Sequence, residues 1–288
     1  MPGSTSPGRS TSVSSSASRS CSGDSSRVRI SRRHVCPSRG RFPPDPGTLK
    51  YRPAGPFVVK IGEVHEPNRK VVGRTVWHYD AVESTNETAK ESLEAEGEEG
   101  LVIWADRQAA GRGRQGRAWA SPPGGLYVSV VLRPKQAHAW ILGLLVGMPV
   151  VKALRHYGVF AGLKYPNDAV YQDRKIAGIL SEGVYRRDVY HVIVGIGVNT
   201  NVDLEQFPPD LRGTATTLKR EVRLFVANDE FLDYLLNQID DLYSRYRNTR
   251  IEFLLKDYRG QCTTIGKRVT ARMGKTMVTG KAYDIALN

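Results

Sequence analysis

The chain of 288 residues is long enough for one large domain or two smaller ones, and with 40% hydrophobic residues it can build a sizeable core. A formal charge of +13 suggests a polyanionic partner or a phosphate-bearing ligand. Cys21, Cys36 and Cys262 are odd in number and far apart, which excludes a disulfide framework or a paired-cysteine metal site and fits a reducing, cytoplasmic compartment.

The charge is unevenly spread. Residues 1–50 hold nine lysines and arginines against two aspartates, a net +7 that leaves +6 for the other 238. Rich in Ser, Arg, Pro and Gly and nearly free of aliphatic residues, the segment 1–55 cannot offset its ordering entropy by burial, and disorder is expected there. An Arg- and Ser-rich, acid-poor N-terminus also fits an organellar transit peptide, or a non-native extension from an upstream start codon; it has no apolar stretch of the secretory kind.

Order is predicted from near Phe57. TVWHYDAV (75–82) reads as a strand. ESTNETAKESLEAE (83–96) reads as a helix opened by a capping box, Ser84 and Glu87 serving opposite backbone donors. LVIWADRQ (101–108) is a buried strand leading into QAAGRGRQGRAW (108–119), and GLYVSVVLRP (125–134) is the next strand. The longest apolar run, 139–151, is too short to cross a bilayer and predicts a buried helix over about 137–157. Strand-like pieces follow at AGLKYPND, AVYQ, KIAGILSEGVY and VYHVIVGIGVN, with a hairpin turn at Asp173-Arg174. Phe231, Tyr234, Leu235, Ile239, Leu242 and Tyr246 recur at helical spacing over 231–247. From 260 to 288 the pattern is two strands joined at Met273-Gly274-Lys275, a small β domain with too few strands before Asn288 for a self-supporting barrel. Mixed helices and hairpin-joined strands predict an α+β fold with a mixed β-sheet and packed helices, the main domain spanning 56–259.

Three segments could carry chemistry. In the loop 108–119, Arg112, Arg114 and Arg117 alternate with glycines, and no acid interrupts them. It reads either as a solvated or RG-type nucleic-acid contact, or as an anion-binding loop whose backbone amides and guanidinium forks hold phosphate. Trp119 at its end could stack on a base. In LKYPNDAVYQDRKIAGILSEG (163–183), Lys164, Asn167 and Asp168 end one strand and Lys175 enters the next, where Gly178 admits a ligand closely; the bland alternative is an ordinary charged hairpin. VIVGIGVNTN (192–201) lacks the third glycine and helix of a dinucleotide fingerprint, and five residues separate Gly260 from Gly266, one too many for a P-loop.

Taken in order, Glu83-Ser-Thr-Asn86, QxxGRGRxGRxW, K-aromatic-PND, DRKxAGIL and GIGxNxN resemble the biotin protein ligases over residues 75–288. Tyr165 stands where that family usually has Trp in KWPND. The resemblance implies the biotin–lipoate ligase fold, related to class II aminoacyl-tRNA synthetases, with a partial SH3-like C-terminal domain, and a non-repressor type without a helix-turn-helix. It further implies biotin and MgATP as reactants, biotinyl-5′-adenylate as intermediate, and a lysine of a biotin carboxyl carrier domain as acceptor. Ser84, Thr85, Asn86, Gln108, Arg112, Gly113, Arg114, Lys175 and Gly178 would then meet biotin. Arg112, Arg114, Arg117, Trp119, Asn167 and Asn199 would meet ATP. Lys175, Arg114, Arg112, Lys164 and Asp168 would serve catalysis, Asp168 by orienting the incoming lysine. The loop 110–119 would close over the adenylate. No protein ligand for Mg2+ is indicated; ATP phosphates would supply most of its coordination. The expected partners include no specific nucleic acid and no membrane, and a monomer or weak homodimer is expected. The competing readings are a lipoate or octanoate ligase of the same fold and an RG-rich nucleic-acid-binding protein.

Overall fold

Seven consecutive residues, LYVSVVL, are buried in a single strand. A strand buried on both faces needs a layer on each side of its sheet. The computed structural model describes residues 60–66, 68–94, 98–186, 188–273 and 276–286. The segment 1–55, for which disorder is expected, lies outside the described residues.

The strands are β1 (Lys60–His65), β2 (Thr75–Val82), β3 (Val102–Gln108), β4 (Leu126–Leu132), β5 (Gly162–Lys164), β6 (Asp168–Tyr171), β7 (Arg174–Arg186), β8 (Val189–Val198), β9 (Arg268–Met273) and β10 (Thr276–Lys281). The first eight form one sheet in the order β1-β2-β3-β4-β8-β7-β6-β5, and β9-β10 pair separately. Only β2 and β3 run parallel within the large sheet; its other pairs are antiparallel. This is the mixed α+β sheet predicted, and the small C-terminal β unit is present too.

The helices are α1 (Thr85–Ser92), α2 (Leu142–Leu145), α3 (Gly147–His156), α4 (Pro209–Arg212), α5 (Leu218–Val222), α6 (Asn228–Asn248) and α7 (Ile251–Arg259). One sheet face carries α1 over a small core of Val82, Ala89, Leu93, Ile103, Ala105, Val131 and Ile193. The main core lies on the opposite face. There Leu126, Val128, Val130 and Leu132 of β4 meet α2, α3 and the apolar stripe of α6, Phe231, Leu232, Leu235, Leu236 and Ile239. Burying each such side chain contributes on the order of 1.5–3 kcal/mol. Asp240, buried at 5% exposure, is the acid within that stripe; it accepts from the backbone N–H groups of Lys70, Val71 and Val72 at 2.7, 2.8 and 2.9 Å and so ties α6 to the turn before β2.

Several local expectations are corrected. The helix over 137–157 is broken into a 3-10 turn (Gln136–Ile141), α2 and α3. Pro149 has no N–H for the carbonyl of Leu145, so the ladder is interrupted there. Extended to His156, the segment Ala139–His156 has the length and hydropathy of a membrane span, yet 78% of it is buried inside the fold, as a core segment would be. The β6–β7 turn is Gln172-Asp173, both at positive φ (48° and 60°), and Arg174 already belongs to β7. Such a two-residue turn matches the twist of the strands it joins. Ser84 is the N-cap of α1 but makes no side-chain capping bond, and Glu87 is drawn instead to Lys90 and Arg112. Strand β1 and helices α4, α5 and α7 correspond to no predicted element.

Candidate active site

The site begins as a trough in the sheet. Along one cross-strand row Asp168 pairs with Gly178, Gly178 with Gly197 and Gly197 with Tyr127; along the next, Leu180 pairs with Gly195 and Gly195 with Ser129. Directly paired residues share a face. Three glycines at the centre of these rows therefore leave a gap among the side chains on the α1 face of the sheet. Trp119 lies in the gap, where a Cβ on Gly178 or Gly197 would overlap its indole, and Asn86 lies over Gly195 in the same way. The glycines of AGIL and GIG make space for other side chains.

Lys175 reaches this face because of a bulge. The β6–β7 register slips between Ala169 and Val170, which pair with Ala177 and Lys175 respectively. One extra residue reverses the alternation. Ile176 and Ala177 both enter the main core, and Lys175 joins Gly178 on the trough side. Its Nζ lies 2.7 Å from Asp168 Oδ1 and 4.9 Å from the Trp119 ring centre.

The arginine loop forms a tight turn of its own. Gly113 N donates to Arg117 O at 2.7 Å and Trp119 N to Gly111 O at 2.9 Å. Gln115 and Gly116 take positive φ at its tip, 58° and 71°. Arg114 Nη1 reaches Asn167 Oδ1 at 3.3 Å, and Arg112 Nη1 lies 2.7 Å from Glu87 Oε1. The loop's own sequence has no acid, but the fold supplies one from α1.

These pieces enclose a cavity of about 290 Å3. Of the residues singled out from sequence, Ser84, Thr85, Asn86, Gln108, Arg112, Gly113, Arg114, Arg117, Trp119, Asn167, Asp168, Lys175, Gly178 and Asn199 all line it. Lys164 does not; it is exposed at the end of β5, across the ladder from Asp168. Sequence reasoning missed Phe207, Leu211, Thr214 and Ala215, which cover the outer wall. They are brought there by backbone bonds from Lys175 N to Thr214 O and from Thr216 N to Lys175 O, at 2.8 and 2.9 Å. The β-prone run Thr214-Ala-Thr-Thr217 was the available signal.

The cavity lining falls into two chemical groups. One is cationic, with Arg112, Arg114, Arg117 and Lys175. The other is neutral, with Ser84, Thr85 and Gln108, where Gln108 Oε1 accepts from Thr85 N at 2.9 Å and Gln108 Nε2 donates to Ser121 Oγ at 2.7 Å. Beside Lys175, Asn199 Nδ2 donates to Thr216 O at 3.0 Å while its buried Oδ1 has no partner among the described residues.

Residues 79–199 match the model of the biotin/lipoate A/B protein ligase family. The bifunctional ligase/repressor BirA of Bacillus subtilis is 32% identical over 224 residues, which cover 75% of this chain and 68% of that protein. The biotin--[acetyl-CoA-carboxylase] ligase of Mycobacterium tuberculosis is 34% identical over 200 residues, 65% of this chain and 70% of its own. Among solved structures, the biotin protein ligase of Aquifex aeolicus, determined in complex with biotin and ATP, aligns with a TM-score of 0.62 and 30% identity over 73% of this chain and 88% of that one. The chain belongs to the biotin protein ligases.

Beside the neutral residues of this ligase's cavity runs a charged network. Asn86 and Lys90 stand one turn apart on α1 and both reach Glu182 of β7, at 2.6 and 2.8 Å. Lys90 also bonds Glu87 at 3.0 Å, which links the network to Arg112. Burial alone would raise the Glu182 carboxyl, but its bonds to Lys90 and Asn86 and the nearby charges of Lys90 and Arg112 outweigh it and hold the group below its ordinary value. For Lys90, burial acts to lower the ammonium pKa, and the bonds to Glu182 and Glu87 win, raising it. Both groups are thereby kept charged.

Proposed function

We propose that this ligase joins biotin to the α-phosphate of ATP in the cavity and then passes biotin to a lysine on the carrier domain of a biotin-dependent carboxylase. A carboxylate oxygen of biotin attacks the α-phosphorus, pyrophosphate leaves, and biotinyl-5′-adenylate forms. The neutral amine of the acceptor lysine then attacks the acyl carbon, AMP leaves, and an amide forms. The observation that carries this reading is that one cavity is lined both by a cationic group, Arg112, Arg114, Arg117 and Lys175, and by a neutral group, Ser84, Thr85 and Gln108. Two anions must meet at the first, and fixed positive charge is worth most where charge concentrates in the transition state. A neutral, polar ring system fits the second. The unpartnered Asn199 Oδ1 suits an exocyclic amine such as that of adenine. The Aquifex aeolicus relative, solved with biotin and ATP, supports the same pair of ligands.

Among the described residues no three His, Cys, Asp or Glu side chains gather as a metal site. The one carboxylate on the cavity wall, Asp168, is engaged by Lys175. This donor set does not fit a protein cage for magnesium, and no step is assigned to the metal. The second step needs a deprotonated lysine, a fraction of only about one in 10³ at neutral pH. When a phosphate draws Lys175 away, Asp168 is left with an open carboxylate facing the cavity, placed to receive the incoming ammonium. Water must be kept from the mixed anhydride, and the loop 110–119 is the segment that would close over it.

The test is the intact mass of a purified carrier domain after incubation with enzyme, ATP and one of three acids. A gain of one biotinyl group with biotin, and none with octanoate or lipoate, is expected. Transfer of octanoyl or lipoyl groups instead would favour the lipoate-ligase reading.

A further inference from the structure

We infer that Glu221, on α5 and outside the cavity lining, is a positioning residue that holds Lys175 and Asn199 at a fixed spacing and so lets one nucleotide meet both. The inference rests on the reading above in taking ATP as that nucleotide and its exocyclic amine as the group that Asn199 meets.

Lys175 enters β7 and Asn199 follows β8, yet both are bonded to one residue of the cover, Thr216. Thr216 N donates to Lys175 O at 2.9 Å, and Asn199 Nδ2 donates to Thr216 O at 3.0 Å. With Nδ2 engaged in this way, Oδ1 is the Asn199 atom left to accept from a ligand. Thr216 is fully buried and, like Glu221 and Arg174, does not itself line the cavity.

The pairing that holds Thr216 against β7 is short. Lys175 and Ala215 form an isolated parallel bridge, carried by the Thr216 N–H bond to Lys175 and by Lys175 N donating to Thr214 O at 2.8 Å. It lies beside the bulge in the β6–β7 ladder, where Val170 pairs with Lys175. Two bonds next to an interrupted ladder open easily. Glu221 reinforces them from outside. Its Oε1 accepts from Arg174 Nη2 at 3.0 Å and from the Thr216 hydroxyl. Arg174 directly precedes one member of the bridge, and Thr216 directly follows the other. One carboxylate oxygen therefore ties the two segments together across it. The Glu221 side chain is only 13% exposed, so salt and water screen the pair less than they would at the surface. The helix that carries Glu221 is anchored to the same asparagine, since Leu218 N donates to Asn199 O at 2.8 Å.

A ligand that must satisfy two groups at once gains the second contact only if their separation is already set. With the clamp cut, the arginines and Lys175 still draw the phosphates, and the contact to the base is the one lost. The spacing is therefore read out as a preference for the base.

The test is pyrophosphate release by the full chain with biotin and either ATP or purine riboside triphosphate, which lacks the 6-amino group. Wild type should favour ATP in kcat/KM by about tenfold or more, as one hydrogen bond to a buried acceptor warrants. Glu221→Ala and Thr216→Val should each lose most of that preference, and the double variant should lose no more than either, because both cut the same link. Glu221→Gln keeps an oxygen for the two donors and should retain the preference within about threefold. A general loosening of the fold would instead slow both nucleotides alike. No preference in wild type, or full preference in folded Glu221→Ala and Thr216→Val, would overturn the inference. So would amide exchange at Lys175 and Thr216 that is as slow in ligand-free Glu221→Ala as in wild type, a measurement that needs no substrate. If that exchange quickens in the variant while wild type releases no pyrophosphate with biotin, the functional reading falls and the clamp stands.

Discussion

Lys175 is the residue on which most of the proposed chemistry converges. Its partner Asp168 lies 2.7 Å away, but the pair is partly exposed, so its loss should cost the fold no more than about 1 kcal/mol. The same ammonium placed at a developing phosphate charge is worth far more, and Lys175→Ala should lower adenylate formation by about 10²–10³. Single-turnover kinetics together with a thermal melt check the split; near-normal adenylation would remove Lys175 from the site. Glu182 gives a prediction in pH. Its carboxyl is held below the ordinary 4.5 by Lys90 and Asn86, so its stabilising contribution is fully present above that value and is lost as pH falls through the lowered one. The stability gap between wild type and Glu182→Gln should therefore be steady from neutral pH to about 4.5 and close below it, in denaturant titrations run at successive pH values. A gap that widens on acidification would contradict this.

Among the elements, the arginine loop behaves differently from what its sequence alone suggests. The string GRGRQGR carries no acid, which reads as a loop with nothing to hold it until a phosphate arrives. The fold brings Glu87 of α1 to within 2.7 Å of Arg112. Glu87→Gln should loosen residues 110–119 in the free protein, and a non-hydrolysable adenylate analogue should restore protection in both proteins, since only a ligand with differential affinity shifts the population. Hydrogen exchange of this segment decides it: equal protection with and without the analogue in wild type would mean a fixed wall. Most of the cavity's lining was legible because each of its motifs is local: an arginine loop between two strands, a lysine entering a strand, a glycine within that strand. The bulge that turns Lys175 inward was not legible, nor were the cover from Phe207 to Ala215 and the network of Glu87, Lys90, Ser129 and Glu182. They depend on pairings across as many as 96 residues, as between Asn86 and Glu182. Ser84 misled for the opposite reason. Its spacing to Glu87 satisfies a capping box, but Glu87 is drawn to Arg112 and the Ser84 side chain, which lines the cavity, makes no capping bond.

On the scale of the whole molecule, the sheet is read correctly as mixed because hairpin-joined strands cannot make a regular parallel array. The order of its strands depends on long-range pairing that periodicity does not encode. One buried acid ties α6 to the turn before β2. Asp240→Ala would strand the N–H groups of Lys70, Val71 and Val72, and a loss of about 2–4 kcal/mol is expected, read as a lower denaturant midpoint with an unchanged slope. A change under about 0.5 kcal/mol would show that water replaces the carboxylate.

The central claim is that one cavity activates biotin at the expense of ATP. It is tested most directly by pyrophosphate release from purified enzyme and ATP without any carrier protein, with biotin, octanoate or lipoate added in turn. A burst of release with biotin alone is expected, reduced in step with adenylate formation in Lys175→Ala. Release that is independent of biotin, or stronger with octanoate or lipoate, would contradict it.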